Sequence, residues 1–204
     1  MIDATTALGR LREGNRRFVA GERHLDAQIT ESRRADIAES QEPFAVILGC
    51  SDSRVPVEIV FDQGLGELFV IRVAGNIVAP SLVGSVEFAA ERFGTRLVVV
   101  LGHTRCGAIA ATLESLHGSA GSRNLNSIVD RIRPSVMDLI EAEDSMSRDE
   151  LAARAVRANV RVSADHLRHG SEVLERLIRS DGLRVVGAEY NLDTGVVDFF
   201  DGAD

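Results

Sequence analysis

FAVILGCSDSRV, residues 44–55, opens on five apolar residues and closes on a run of small polar ones around Cys50. A short apolar run with no polar residue alternating through it, bounded by turn residues, reads as a strand covered on both faces. LVVVLGHTRCG, residues 97–107, has the same form: an apolar run, a glycine, then a polar turn holding His103 and Cys106. ELFVIRV (67–73) and LRVVGA (183–188) supply two more such runs, and GVVDFF (195–200) adds an edge strand after a turn at DTG. Helical stretches separate them at 81–94, 107–117, 125–142 and 149–180. Strands alternating with helices specify an α/β fold: a mostly parallel central β-sheet flanked by helices, with right-handed crossovers.

Ahead of the first strand, ATTALGRLREGNRRFVA (4–20) places Ala7, Leu8, Leu11, Phe18 and Val19 at the spacing of an amphipathic helix. Residues 28–40 read as a second, more polar helix, closed by QEP at 41–43. The chain has 204 residues, 45% of them hydrophobic, which suits one sizeable core. It is read as a single domain over 1–204, with 1–40 as an N-terminal helical arm. No internal repeat or low-complexity linker interrupts it, and HGSAGSRN (117–124) is its most loop-like stretch.

The balance of charge narrows the function classes. A net charge of −8, no Trp and a single Tyr argue against a nucleic-acid partner. No apolar run approaches the roughly 18 residues of a membrane span, and the start lacks the apolar stretch of a secretory signal. The expectation is a cytoplasmic protein with no membrane partner.

Cys50 and Cys106 are the only cysteines, and each follows a strand. In an open parallel sheet, ligand chemistry gathers at the carboxyl ends of strands, where the winding reverses. Two strand ends far apart in sequence can bring Cys50, His103 and Cys106 to one spot. Two thiolates and an imidazole match the ligand set of zinc, and the start of a helix favours the thiolate at Cys106. On residue types alone, two packed cysteines beside a structural histidine stand as an equal reading. Asp52 and Arg54, two apart in the turn after the first strand, offer a carboxylate kept ionised by a guanidinium. Such a carboxylate can ligate a metal, or pair with the arginine and leave that position to water.

CSDSRV and GHTRCG together resemble the β-class carbonic anhydrases, zinc enzymes that interconvert carbon dioxide and bicarbonate. The resemblance runs from the N-terminal helix to about residue 200. It implies one Zn2+ per chain on Cys50, His103 and Cys106, and hydration of carbon dioxide by attack of zinc-bound hydroxide. It makes Asp52 and Arg54 the family's catalytic dyad, with Asp52 a fourth metal ligand only in a closed form. Gln41 matches a glutamine that binds substrate across a subunit boundary, and Phe69 an aromatic of the substrate pocket. Phe88 stands where many members have Tyr, and Gly107 matches a glycine that lets substrate approach. Arg72 and Tyr190 match two of three residues of an inhibitory bicarbonate site found in one subgroup, whereas Ile47 replaces its Trp, which puts that site in doubt. The family's unit is a dimer whose N-terminal helix packs on the partner, so a homodimer or homotetramer is implied.

Two other functions keep the scaffold: a carbon disulfide hydrolase, and a non-catalytic zinc dimer that senses bicarbonate or pH. A redox dithiol is disfavoured because there is no Cys-x-x-Cys. His166 and His169, near Asp165, share a helix face at metal-compatible spacing but have no third ligand nearby in sequence, and are read as surface residues. His24 and His117 read the same way, with proton transfer a further role for His117. Asp193 reads as a turn residue, and the glycines of DQGLGELF (62–69) open no long helix and so no dinucleotide site.

Overall fold

The computed structural model describes residues 2–24, 30–119 and 121–203. Its helices are α1 (Ala4–Ala20), α2 (Glu31–Asp36), α3 (Val57–Val60), α4 (Pro80–Arg92), α5 (Gly107–Leu116), α6 (Arg123–Glu141), α7 (Arg148–His169) and α8 (Glu172–Ser180). Its strands are β1 (Ala45–Gly49), β2 (Leu68–Arg72), β3 (Leu97–His103), β4 (Arg184–Tyr190) and β5 (Val197–Asp201). They form one sheet in the order β2-β1-β3-β4-β5. The first four run parallel and β5 is antiparallel at the edge, as the DTG turn leads one to expect.

The unbroken apolar runs have the predicted consequence. Every residue of β1 and of β3 is buried, because helices cover both faces of the sheet. On one face α1 lays down Ala7 and Leu11, both fully buried, against a core that holds Ile47, Val99 and Phe61. Asp3 caps α1 by accepting from the Thr6 amide, and Gly21 ends it in a left-handed conformation. Asn15 fastens the helix further: its Nδ2 donates to the carbonyls of Val60 and Gly195, and its Oδ1 accepts from the Val197 amide. Of the expected apolar stripe of α1, Ala7, Leu8 and Leu11 are buried on their own chain and Val19 is exposed. On the other face, α4, α7 and α8 cover Val46, Leu48, Val98 and Val100.

Two expected elements have different bounds. The stretch 149–180 is two helices: Gly170 closes α7, and the Ser171 hydroxyl caps α8 by accepting from the Leu174 amide. The second helix expected over 28–40 is confined, among the described residues, to Glu31–Asp36; residues 25–29 lie outside them. Among the described side chains of 31–40, Ile37 alone is not exposed, so the segment has little apolar surface to pack a longer helix.

The order places β1 and β3 side by side at the point where the winding reverses. Gly49, the last residue of β1, sits opposite Leu101, so Cys50 and His103 leave adjacent strands at the same end.

Candidate metal centre

Three elements converge there. Cys50 follows β1, His103 closes β3, and Cys106 is the N-cap of α5 with its side chain making no capping bond. The ligand atoms of the three residues lie within 4.8 Å of one another, and all three residues are buried. The two Sγ atoms are 3.9 Å apart. A disulfide needs about 2.05 Å, and both cysteines are free. Two sulfurs on one tetrahedral zinc at about 2.3 Å stand about 3.8 Å apart, which the observed spacing matches.

The histidine points the same way. His103 is fully buried, and its Nδ1 lies 2.9 Å from the Thr104 carbonyl. That contact fixes the proton on Nδ1 and leaves Nε2 as a lone-pair donor. Nε2 is buried with no hydrogen-bond partner. An orphaned imidazole nitrogen beside two converging sulfurs is what a metal ligand looks like without its metal. The donor set of two sulfurs and one nitrogen fits zinc, with a fourth position left for chemistry.

The electrostatics of the thiols agree. The Cys106 thiol as hydrogen-bond donor, with help from His103 and the amides of Gly75 and Asp52, pushes Cys50 toward the thiolate against the cost of burial. Cys106 is pushed up by that bond to Cys50 and by its own burial, while the Ala108 and Ile109 amides at the start of α5 pull it back. Burial disfavours a charged His103, but its contacts with Cys50 and the Thr104 carbonyl raise its pKa overall. The site concentrates negative charge on sulfur, and a dication would settle it.

Asp52 lies beside the three donors rather than among them. Its carboxylate is held by Arg54 through three bonds: Nη2 to Oδ2 at 2.7 Å, and Nε and the backbone amide to Oδ1, each at 2.9 Å. The guanidinium holds the Asp52 pKa far below the usual carboxylate range. Asp52 Oδ2 stands 3.8 Å from His103 Nε2, so the ionised oxygen borders the metal position. Arg54 also donates to the Arg105 carbonyl at 3.3 Å, tying the turn after β1 to the turn after β3.

Arg72 carries a structural duty that its sequence context did not reveal. Its Nε donates to the Cys50 carbonyl at 2.9 Å and its Nη2 to the Asp52 carbonyl at 2.6 Å, clamping the loop that presents both residues. Ile47 is fully buried, and Tyr190 packs in the same core beside Phe18. Asp193, read as a turn residue, pairs with Arg105 between the two ligands of the second motif. Gly107 opens α5 next to Cys106, and a Cβ there would meet no heavy atom within 4 Å, so the approach over it is open.

The remaining sequence candidates lie elsewhere. Phe69 sits opposite Val46, four residues before Cys50, which along a strand is about 13 Å. It stacks on Phe88 and Phe93 with ring centroids 6.2 and 6.0 Å away. Gln41 is exposed in the loop before β1, in a groove shared with Arg92 and Phe93. Within one chain these residues form a separate group at the opposite end of the strands. His24, His117, His166 and His169 are exposed; His117 pairs with Glu143 and His169 with Asp165.

A family model described as carbonic anhydrase matches residues 45–197. Carbonic anhydrase 2 of Mycobacterium tuberculosis is 41% identical over 91% of this chain and 87% of its own length. A carbonic anhydrase of Mycolicibacterium smegmatis is 40% identical over 92% of this chain and 89% of its own. Among solved structures, a β-carbonic anhydrase of Aspergillus fumigatus superposes with a TM-score of 0.76 at 29% identity, covering 83% of this chain and 81% of that one.

Proposed function

This chain belongs to the β-class carbonic anhydrases, and from that premise we propose that it catalyses the reversible hydration of carbon dioxide to bicarbonate and a proton. The observation that carries the reading is the meeting of Cys50, His103 and Cys106 beside an Asp52 carboxylate already committed to Arg54. Zinc held by those three donors supplies a Lewis acid that lowers the pKa of water toward neutrality.

The chain's own residues do the rest. Arg54 keeps Asp52 ionised and fixes the plane of its carboxylate. Asp52 then accepts the hydrogen of the attacking oxygen and turns a lone pair toward the substrate. Cys50 and Cys106 sit in an apolar cluster with Ile77, Ile109, Leu113 and Ile132, surroundings compatible with an uncharged gas as substrate. The open approach over Gly107 leaves room beside the metal position. Bicarbonate is an anion, and Gln41 of a second copy would donate a hydrogen bond to it. Two thiolates neutralise the charge of a zinc ion, so activity is expected to rise above neutral pH.

The assembly belongs to the same reading. A homodimer, or a homotetramer built from it, brings Gln41, Phe69 and Phe88 of one copy to the metal end of another. The three-element metal centre needs its thiols reduced, which suits the cytoplasm. Stopped-flow hydration of carbon dioxide across pH, run beside zinc analysis, tests the proposal. Turnover rising with pH in zinc-replete protein supports it. Zinc without turnover at alkaline pH replaces it with the sensor reading, and turnover of carbon disulfide alone with the hydrolase reading.

A further inference from the structure

Asn159 lies on the buried, mainly apolar face of α7, among Ala155, Val156, Val160 and Ala164 and one turn before the buried Ser163, and is only 2% exposed. A buried amide costs stability unless it is bonded, and an aliphatic residue there would pack without that cost. The Asn159 Nδ2 donates 2.8 Å to the carbonyl of Gly75. Gly75 lies in the one-turn 3-10 segment Ala74–Asn76, where Gly75 has φ +70° and Asn76 φ +43°. Glycine takes that conformation freely, but a second left-handed residue directly after it is less favourable and benefits from contacts outside the turn. A side chain at Gly75 has no room either: its Cβ would come within 2.7 Å of Ile132 Cδ1 and 3.0 Å of Ala108 Cβ. The product of this construction is one aimed group, the Gly75 amide, which donates to Cys50 Sγ at 3.3 Å.

The two sulfurs need different support. Cys106 stands at the start of α5 and faces the amides of that helix's first turn. Cys50 stands at the end of a strand with no helix behind it. The Gly75 turn supplies the amide that the helix supplies to its partner.

We propose that Asn159 is a positioning residue of the metal centre: it holds the Gly75 turn so that the Gly75 amide bonds the Cys50 sulfur and limits how strongly that sulfur donates to the bound metal. An N–H···S bond draws on the lone pairs that would otherwise go to the metal, so this outer partner tunes its ligand downward, where an acceptor on a histidine N–H tunes its ligand upward. The inference rests on Cys50 being a metal ligand, the premise of the proposed function.

Two kinds of measurement test it. In the full-length wild-type protein loaded with a spin-half isotope of cadmium, scalar couplings are expected across two hydrogen bonds. One runs from the Gly75 amide proton to cadmium, the other from the Asn159 side-chain nitrogen to the Gly75 carbonyl carbon. Absence of either in cadmium-loaded protein overturns the proposal, whereas failure to bind cadmium through Cys50 and Cys106 overturns the metal-centre reading instead. Asn159→Leu, and the near-isosteric Asn159→Asp that loses the donor, are then loaded with cobalt. The sulfur-to-cobalt charge-transfer band is expected to move to lower energy in both, as it does when a thiolate donates more strongly. Folded variants with the wild-type band overturn the proposal, and if neither variant folds the wild-type couplings decide it.

Discussion

At the carboxyl ends of β1 and β3 a single chain supplies every group of the metal centre: three donors, a carboxylate, the arginine that holds it and the arginine that clamps its loop. At the other end of β2, Phe69, Phe88 and Phe93 pack in tilted and edge-to-face contacts, yet Phe88 remains 53% exposed. The first region is finished within the chain. The second presents an edge strand paired on one side only among the described residues, exposed aromatic surface and an exposed Gln41, the surface that the proposed dimer would cover. Metal binding is therefore separable from whatever contact with substrate the aromatic end makes. One should survive damage to the other.

The largest effect expected is at the metal. Cys106→Ser removes a donor from a buried site, and zinc affinity should fall by more than the roughly 10–100-fold that loss of an outer partner costs, leaving the purified protein depleted of zinc. Elemental analysis of the purified variant reads this directly, and full occupancy would remove Cys106 from the ligand set. Self-association, followed by sedimentation, should be unchanged, because the β2 edge is untouched.

Next is the carboxylate. Asp52→Asn should keep zinc and lower turnover by about 10²–10⁴-fold, the usual span for a positioned proton-handling group. The pH dependence has a definite sign. The Arg54 bonds depress the Asp52 pKa, so the ion pair's contribution is present above the ordinary carboxylate value and lost only as pH falls well below it. Protonation of Asp52 therefore cannot shape a rate profile between pH 5 and 8. The variant should show the wild-type profile at reduced height, and a displaced midpoint would show that Asp52 also tunes another group.

The aromatic end offers a sharper contrast. Gln41→Ala should leave zinc in place and cost about tenfold or more in turnover, the worth of a hydrogen bond to a charged group. If Gln41 acts across a subunit boundary, mixing that variant with Cys106→Ser should restore activity that neither has alone. Random exchange makes half the dimers mixed, each with one intact site, so about a quarter of wild-type activity is expected. No recovery after verified exchange would place Gln41 outside the partner's site.

The metal end was readable in sequence because its chemistry lies in residue types. Unbroken apolar runs identified β1 and β3, and composition and spacing marked Cys50, Asp52, Arg54, His103 and Cys106 as candidates, with zinc and two packed cysteines as equal readings until the family resemblance is added. What supports them was not readable. Arg72 holds two backbone carbonyls and Asn159 holds a third, and a carbonyl has no signature in sequence. Gly75 gave at most a hint, as a glycine next to an asparagine just past a strand. The break at Gly170 was hidden inside a helical pattern because Ser171 restarts the same periodicity at once. Gln41, Phe69 and Phe88 were named through resemblance alone, since within one chain they lie at the opposite end of the strands from the metal centre.

The smallest effect expected is at His117, which belongs to neither region. It caps the far end of α5, whose other end carries Cys106. Ten helical residues separate them, or about 15 Å along the axis, too far for direct proton transfer. Its Nδ1 lies 2.8 Å from the Leu113 carbonyl and its Nε2 3.0 Å from Glu143. The Glu143 contact, chiefly, raises its pKa above the ordinary value. A raised histidine pKa contributes stability in full below the unfolded value near 6.5, and loses it as pH rises through the folded value. Glu143→Gln should therefore lower the melting temperature slightly near pH 5.5 and leave it unchanged near pH 9. The pair is exposed, so the shift is small. His117→Ala should leave turnover within about twofold, as surface substitutions remote from a site do. A tenfold loss recovered by added imidazole buffer would instead make His117 a relay, and would require a chain of water along α5 linking a region that otherwise stands apart from the metal.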